Sequence, residues 1–163
     1  MRYRLELRNY CADSIIEHES VSRVLREMSD FFLKDQVIVV TGAAGGIGRA
    51  ICEDLSEAGA KIVLTGRNAD TLKETADSLK IADSLIVSTD ITKPESVKSL
   101  LDATLAKFTR IDGLVNNAGG GSSMKKPEET PHEEWVRMID FNLTGTFNCC
   151  IEFGKHMISQ KYG

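Results

Sequence analysis

An apolar run, Val37-Ile38-Val39-Val40, feeds directly into a glycine-rich turn, Thr41-Gly42-Ala43-Ala44-Gly45-Gly46-Ile47-Gly48. Helix-compatible sequence follows from Arg49 to Ala58. A strand that breaks on glycines and re-forms as a helix brings the backbone close to whatever lies beyond the turn. It also aims the free N–H groups and positive dipole end of the helix at it. That arrangement suits a pyrophosphate, held by the stretch from Gly42 through Gly46, Ile47 and Gly48. The alternative is a glycine-rich turn without a ligand, and the flanking strand and helix weigh against it.

The rest of the chain repeats the strand-then-helix pattern. The expected strands are Val37–Val40, Lys61–Thr65, Ser84–Ser88 and Ile111–Asn116. The expected helices run from Ile47 to Ala58, from about Ala69 to Leu79, from Pro94 to about Phe108, and from Pro131 toward Ser159. Gly59 ends the first helix, and Pro94 sits in a first turn where proline is tolerated. In the long last helix Trp135 stands at core spacing with Met138 and Ile139. Gly119 to Ser123 reads as a flexible loop. Short apolar strands separated by helices make βαβ units and a parallel sheet covered on both faces, an α/β fold.

Size and composition exclude several classes. A chain of 163 residues can bury one real core but not two. A net charge of −4, with no basic block, argues against a nucleic-acid partner. No apolar run reaches membrane-spanning length. The four cysteines, Cys11, Cys52, Cys149 and Cys150, form no C-x-x-C pair and read as free, mostly buried thiols of a reducing, cytoplasmic compartment. His18, His132 and His156 are scattered, so no metal site is expected. The first thirty residues lack the apolar segment of a secretory signal. Tyr3, Leu5 and Leu7 alternate like a short strand, and Val21, Val24, Leu25, Met28 and Phe32 fall at helical spacing. Residues 1–30 are therefore read as an extension, with a docking helix as the alternative, and residues 31–163 as the domain.

Four pieces in order identify a resemblance. They are the glycine turn, Asp90-Ile91 after the third strand, Asn116-Asn117-Ala118-Gly119 after the fourth, and Phe141-Asn142-Leu143-Thr144-Gly145-Thr146-Phe147 in the long helix. Together they resemble the short-chain dehydrogenase/reductase family over roughly Phe31 to Gly163. The resemblance implies a Rossmann-type doubly wound sheet, here with about four strands in the order 3-2-1-4. It implies hydride transfer between a nicotinamide cofactor and a carbonyl or secondary alcohol, of the 3-oxoacyl reductase or sugar-alcohol dehydrogenase kind. It also implies a homo-oligomer, dimer or tetramer, for a full-length protein.

The resemblance assigns roles residue by residue. Asp90 and Ile91 bind the adenine, although Asp90 with Thr92 also suits a turn before Pro94. Asn117, Ala118 and Gly119 line the ribose side, and Asn116 ties neighbouring strands. Asn142 belongs to a proton relay, its alternative being an amide that bonds backbone. NAD-preferring relatives carry an acid at the end of the second strand, where this chain has Gly66 followed by Arg67. A guanidinium there suits a 2′-phosphate, with the Thr65 hydroxyl as a further donor. NADP(H) is thus expected ahead of NAD(H). The family's serine and Y-x-x-x-K pair fall beyond Gly163, so this chain alone is expected to be inactive. A non-catalytic dinucleotide-binding or regulatory module is the alternative.

Overall fold

The computed structural model describes residues 33–81, 83–121 and 126–163. The extension read at residues 1–30 and part of the 119–123 loop lie outside them. Four parallel strands form one sheet in the order β3-β2-β1-β4, as expected. They are β1 (Val37–Thr41), β2 (Lys61–Gly66), β3 (Ser84–Ser88) and β4 (Gly113–Val115). The connecting helices are α1 (Gly46–Glu57), α2 (Ala69–Ser78) and α3 (Pro94–Phe108). After β4 come a short 3₁₀ turn (Pro127–Glu129), α4 (His132–Ile139), a π-helical turn (Asp140–Thr144) and α5 (Gly145–Gln160).

The central strands show why a continuous apolar run folds here. Side chains alternate between faces along a strand, so a strand covered on both sides needs apolar residues throughout. Val37 and Val39 enter one core with Val63, Leu100, Ile111 and Phe153. Ile38 and Val40 enter the other with Ile62, Leu64, Leu72 and Cys52. Val39, Val40, Ile62, Val63 and Leu64 are fully buried. Each such side chain contributes about 1.5–3 kcal/mol by leaving water. Register follows, with Val39 beside Val63 on one side and Leu114 on the other.

β4 is shorter than the expected Ile111–Asn116. Its ladder to β1 pairs only Gly113, Leu114 and Val115 with Ile38, Val39 and Val40. Just before it, Asp112 adds a side-chain bond to its backbone one, its N–H donating to the Val37 carbonyl at 2.9 Å. Its buried carboxylate accepts the Val37 N–H at 2.8 Å and is paired with the Arg110 guanidinium.

The long helix also departs from expectation. In an unbroken helix Trp135 and Phe153 stand about five turns apart on one face. The π-helical turn interrupts that register, and no residue of α4 before it is buried. Phe153, Cys149 and Gly145 reach the core, whereas Trp135 is 53% exposed. Leu143 and Phe147, at 64% and 61%, are more exposed still. Trp135 is therefore a surface residue of the described structure and not a core one.

Candidate functional site

The strands' carboxyl ends open into a cleft of about 430 Å³. It forms where the chain's connections part to opposite faces of the sheet, the usual ligand site of open α/β folds. The glycine turn, Gly66-Arg67, Ile91 and Asn117 to Gly119 all line it. Of the site residues expected from sequence, Gly42, Gly46, Ile47, Gly48, Arg67, Ile91, Asn117, Ala118 and Gly119 come together there. Asp90 lies in an adjoining cleft with Arg67, His132 and Phe141, and Asn142 lines neither.

The three glycines of the motif have different reasons to be glycine. Gly42 adopts φ +65°, and a Cβ there would stand 2.9 Å from the Ala118 Cα. A Cβ on Gly48 would stand 2.2 Å from the Gly42 carbonyl oxygen. Both positions are fixed by the protein's own packing. At Gly46 a Cβ would meet no described atom within 4 Å. Its missing side chain serves no internal contact and keeps the cleft side of the α1 start clear.

That helix start is electrostatically distinctive. The N-cap of α1 is Gly45, no side chain among the described residues caps it, and no acid stands in its first turn. The first-turn N–H groups of a helix lack intrahelical partners, and together with the dipole they favour an anion. Gly45, Gly46 and Ile47 are exposed, Ile47 at 74%. The donor set therefore fits the pyrophosphate of a dinucleotide.

The floor of the cleft is a hydrogen-bond knot. The Thr41 hydroxyl donates to the Val115 carbonyl at 3.2 Å and accepts the N–H groups of Asn117 at 3.0 Å and Ala118 at 2.9 Å. The Asn117 amide donates to the carbonyls of Thr41 at 2.9 Å and Gly42 at 3.1 Å. The strand-tying asparagine is thus Asn117 and not Asn116. Asn116, one residue earlier, turns toward α5, where its amide lies 3.3 Å from the Cys150 sulfur.

Two further side chains are engaged by the protein itself. The Thr65 hydroxyl is buried and donates to the Val87 carbonyl at 2.8 Å, so its proton is not offered to the cleft. Asp90 Oδ1 accepts both the N–H and the hydroxyl of Thr92, at 3.0 and 2.8 Å. The Thr92 hydroxyl bond, with smaller help from Lys93 and Arg67, holds the Asp90 carboxyl below its ordinary pKa against a partial opposing effect of burial. This is the turn geometry that the sequence left open for Asp90.

Arg67 is exposed, and its guanidinium lies 5.2 Å from the centroid of the Phe141 ring. Asn142 sits inside the π-helical turn. Its Oδ1 accepts the Gly120 N–H at 3.0 Å, and its Nδ2 donates to the carbonyls of Gly120 and Met138, both at 2.9 Å. The amide thereby fastens the Asn117–Gly120 segment to the helix behind it. π-Helical turns are frequent at functional sites. Sequence reasoning did not single out Asn68, Thr71 or Thr89, which also line the cleft, nor the contact of Phe141 with Arg67. Asn68 carried a readable signal as an asparagine before a helix; the ring contact carried none.

The comparisons agree with this geometry. The sequence pattern of short chain dehydrogenases matches residues 36–163. An uncharacterized oxidoreductase of Staphylococcus epidermidis is 39% identical over 131 residues, covering 80% of this chain and 56% of that protein. The NAD-dependent glycerol dehydrogenase of Listeria innocua is 37% identical over 130 residues, covering 80% of this chain and 50% of that protein. Among solved structures, a 3-ketoacyl-(acyl-carrier-protein) reductase from Brucella melitensis complexed with NADH superposes with a TM-score of 0.74 at 29% identity, over 78% of this chain and 52% of that one. Levodione reductase superposes at 0.77 and 29%, over 80% and 52%. This chain spans about half the length of the curated relatives it matches. On the family pattern, the relatives and the parallel sheet with its glycine turn, the chain belongs to the short-chain dehydrogenase family of oxidoreductases.

Proposed function

We propose that this chain is the cofactor-binding part of an NADP(H)-dependent reductase or dehydrogenase acting on a carbonyl or secondary alcohol. The observation that carries the reading is the uncapped start of α1 facing the cleft, with open space where a Gly46 side chain would stand. When bound, the nicotinamide supplies or accepts the hydride. The N–H groups of Gly46, Ile47 and Gly48 hold the pyrophosphate. Arg67 takes the 2′-phosphate through its guanidinium, because no carboxylate ends β2. Asp90 and Ile91 flank the adenine, Asp90 through the carboxylate oxygen that Thr92 does not engage. Asn117, Ala118 and Gly119 line the ribose side. Asn142 holds that segment in place through Gly120, and we assign it to the proton relay on the family resemblance alone.

The substrate class rests on likeness to a 3-ketoacyl-(acyl-carrier-protein) reductase and a glycerol dehydrogenase. The free thiols of Cys52, Cys149 and Cys150 support a cytoplasmic setting. Among the described residues no helix is long and apolar enough to cross a membrane. A dimer or tetramer of the full-length protein fits the exposed Trp135, Leu143 and Phe147.

These 163 residues contain no tyrosine four positions ahead of a lysine. Proton transfer by a positioned group is worth roughly 10²–10⁴ in rate. The chain alone is therefore expected to bind cofactor without measurable turnover. Titration with NADPH and NADH tests the reading. Tighter NADPH binding supports it, and tighter NADH binding removes the role given to Arg67. NADPH-dependent carbonyl reduction by the purified chain would overturn the expectation of inactivity. If neither nucleotide binds, the dinucleotide reading itself falls.

A further inference from the structure

We propose that Phe141 is a positioning residue for cofactor discrimination: its ring holds the Arg67 guanidinium at the cleft so that the fork meets a 2′-phosphate. The inference rests on the reading of Arg67 as the 2′-phosphate partner.

Among the described residues the Arg67 guanidinium makes no ion pair or hydrogen bond, and it lies over the Phe141 ring, 5.2 Å from the centroid. Its backbone is anchored separately, since the Arg67 carbonyl accepts the Ser88 hydroxyl at 3.0 Å. Asp90 is near enough for Arg67 to help lower its pKa. Yet Asp90 Oδ1 is engaged by Thr92, and the two make no ion pair within 4.0 Å. The ring is thus the one aromatic face that the described residues set beside an otherwise unbonded guanidinium.

The ring is itself held. Phe141 is half-buried against the core beneath β1, and a Cβ on Gly120 would come within 3.4 Å of its edge. Its neighbour Asn142 fixes the π-helical turn to Gly120 through two bonds. Contact with a ring uses the flat face of a guanidinium, while its N–H donors lie in the plane. A guanidinium resting on the ring by that face is steadied and keeps its fork available for two parallel bonds to phosphate. An arginine placed beforehand also loses less side-chain freedom on binding. Arg67 and Phe141 line both the main cleft and the adjoining one, so the pair stands on the wall between them.

The test titrates the 163-residue chain with 2′,5′-ADP and with 5′-AMP and reads the ratio of the two dissociation constants. That ratio is blind to a general loss of folded protein. Wild type is expected to prefer 2′,5′-ADP. F141A should lower the preference about two- to fivefold, the scale of an exposed cation–π contact. F141W should keep it, and F141A added to R67A should change it no further. If F141A fails to fold, F141L, which keeps apolar bulk without a ring, should show the same loss. A preference that collapses in R67A but is unchanged in F141A or F141L overturns the role of Phe141 and leaves that of Arg67 standing. A wild type without preference for 2′,5′-ADP, a preference that survives R67A, or no binding of either probe overturns the Arg67 reading and this inference with it.

Discussion

Two helices begin beside the same cleft and treat their first turns in opposite ways. At α2, Asn68 Oδ1 accepts the N–H groups of Asp70 at 2.9 Å and Thr71 at 3.2 Å, and Asp70 places a negative charge in the first turn. At α1, glycine occupies the cap position and the described residues provide neither a capping side-chain oxygen nor a first-turn acid. The two ends present the same orphan donors. In α2 those donors are bonded within the fold, and in α1 no described side chain engages them, as the proposed pyrophosphate site requires. Location beside the cleft is common to both, so the difference lies in residue type alone.

Substitutions can break this contrast, and the largest effect is expected at Gly48. A Cβ there would press on backbone, which has no rotamer to yield. Gly48→Ala should cost about 3 kcal/mol or more in a denaturant melt and abolish nucleotide binding. Gly46→Ala separates binding from folding. Stability should stay within about 0.5 kcal/mol, while NADPH affinity falls roughly ten- to a hundredfold in a fluorescence titration. If Gly46→Ala binds like wild type, the α1 start is not the anion site.

Asn68→Ala should do the reverse. Loss of its cap costs about 1 kcal/mol, with NADPH affinity changed less than about threefold. Cys52 offers a check on both. It faces the core from α1, and burial pushes its thiol up to about 11. In Gly46→Ala and Asn68→Ala, Cys52 should stay unlabelled by a thiol reagent at pH 8 while exposed Cys150 reacts, and Gly48→Ala should expose it.

The smallest effect concerns the turn before α3. The folded Asp90 carboxyl lies below its unfolded pKa, so its contribution is complete above the ordinary carboxylate range and is lost as pH falls through the lowered value. Asp90→Ala should cost less than about 1 kcal/mol at pH 7. The deficit relative to wild type should close as melts are taken at progressively more acidic pH.

The elements were legible because two periods dominate this chain. Unbroken apolar runs such as Val37–Val40 marked buried strands, and glycine or proline marked where helices end or begin. What escaped were side-chain choices between adjacent residues. Asn116 and Asn117 are the same amide one position apart, and only the path of the chain after β4 decides which reaches Thr41. The π-helical turn was invisible because apolar residues continue through it at spacings an α-helix would also allow. The exposure of Trp135 was missed as well, because its spacing does not show that no residue of α4 is buried. Thr65 looked available because nothing local shows that the Val87 carbonyl lies beside it. Among the candidate site residues, Asp90 had two readings from sequence, and its bonds to Thr92 show the turn geometry without excluding a ligand at its other oxygen.

The Thr41 knot has a consequence for when the cleft exists at all. Its partners Asn117 and Ala118 are separated from Thr41 by 76 and 77 positions in the chain. Between them the chain must complete three crossovers and place β2 and β3 before β4 arrives. Contacts of such long sequence separation form late, because loop closure precedes any gain from them. The glycine turn can fold locally with α1, but its far wall comes with β4. Nucleotide affinity during refolding should therefore lag the return of helical signal, so the bound nucleotide would time the final docking of β4.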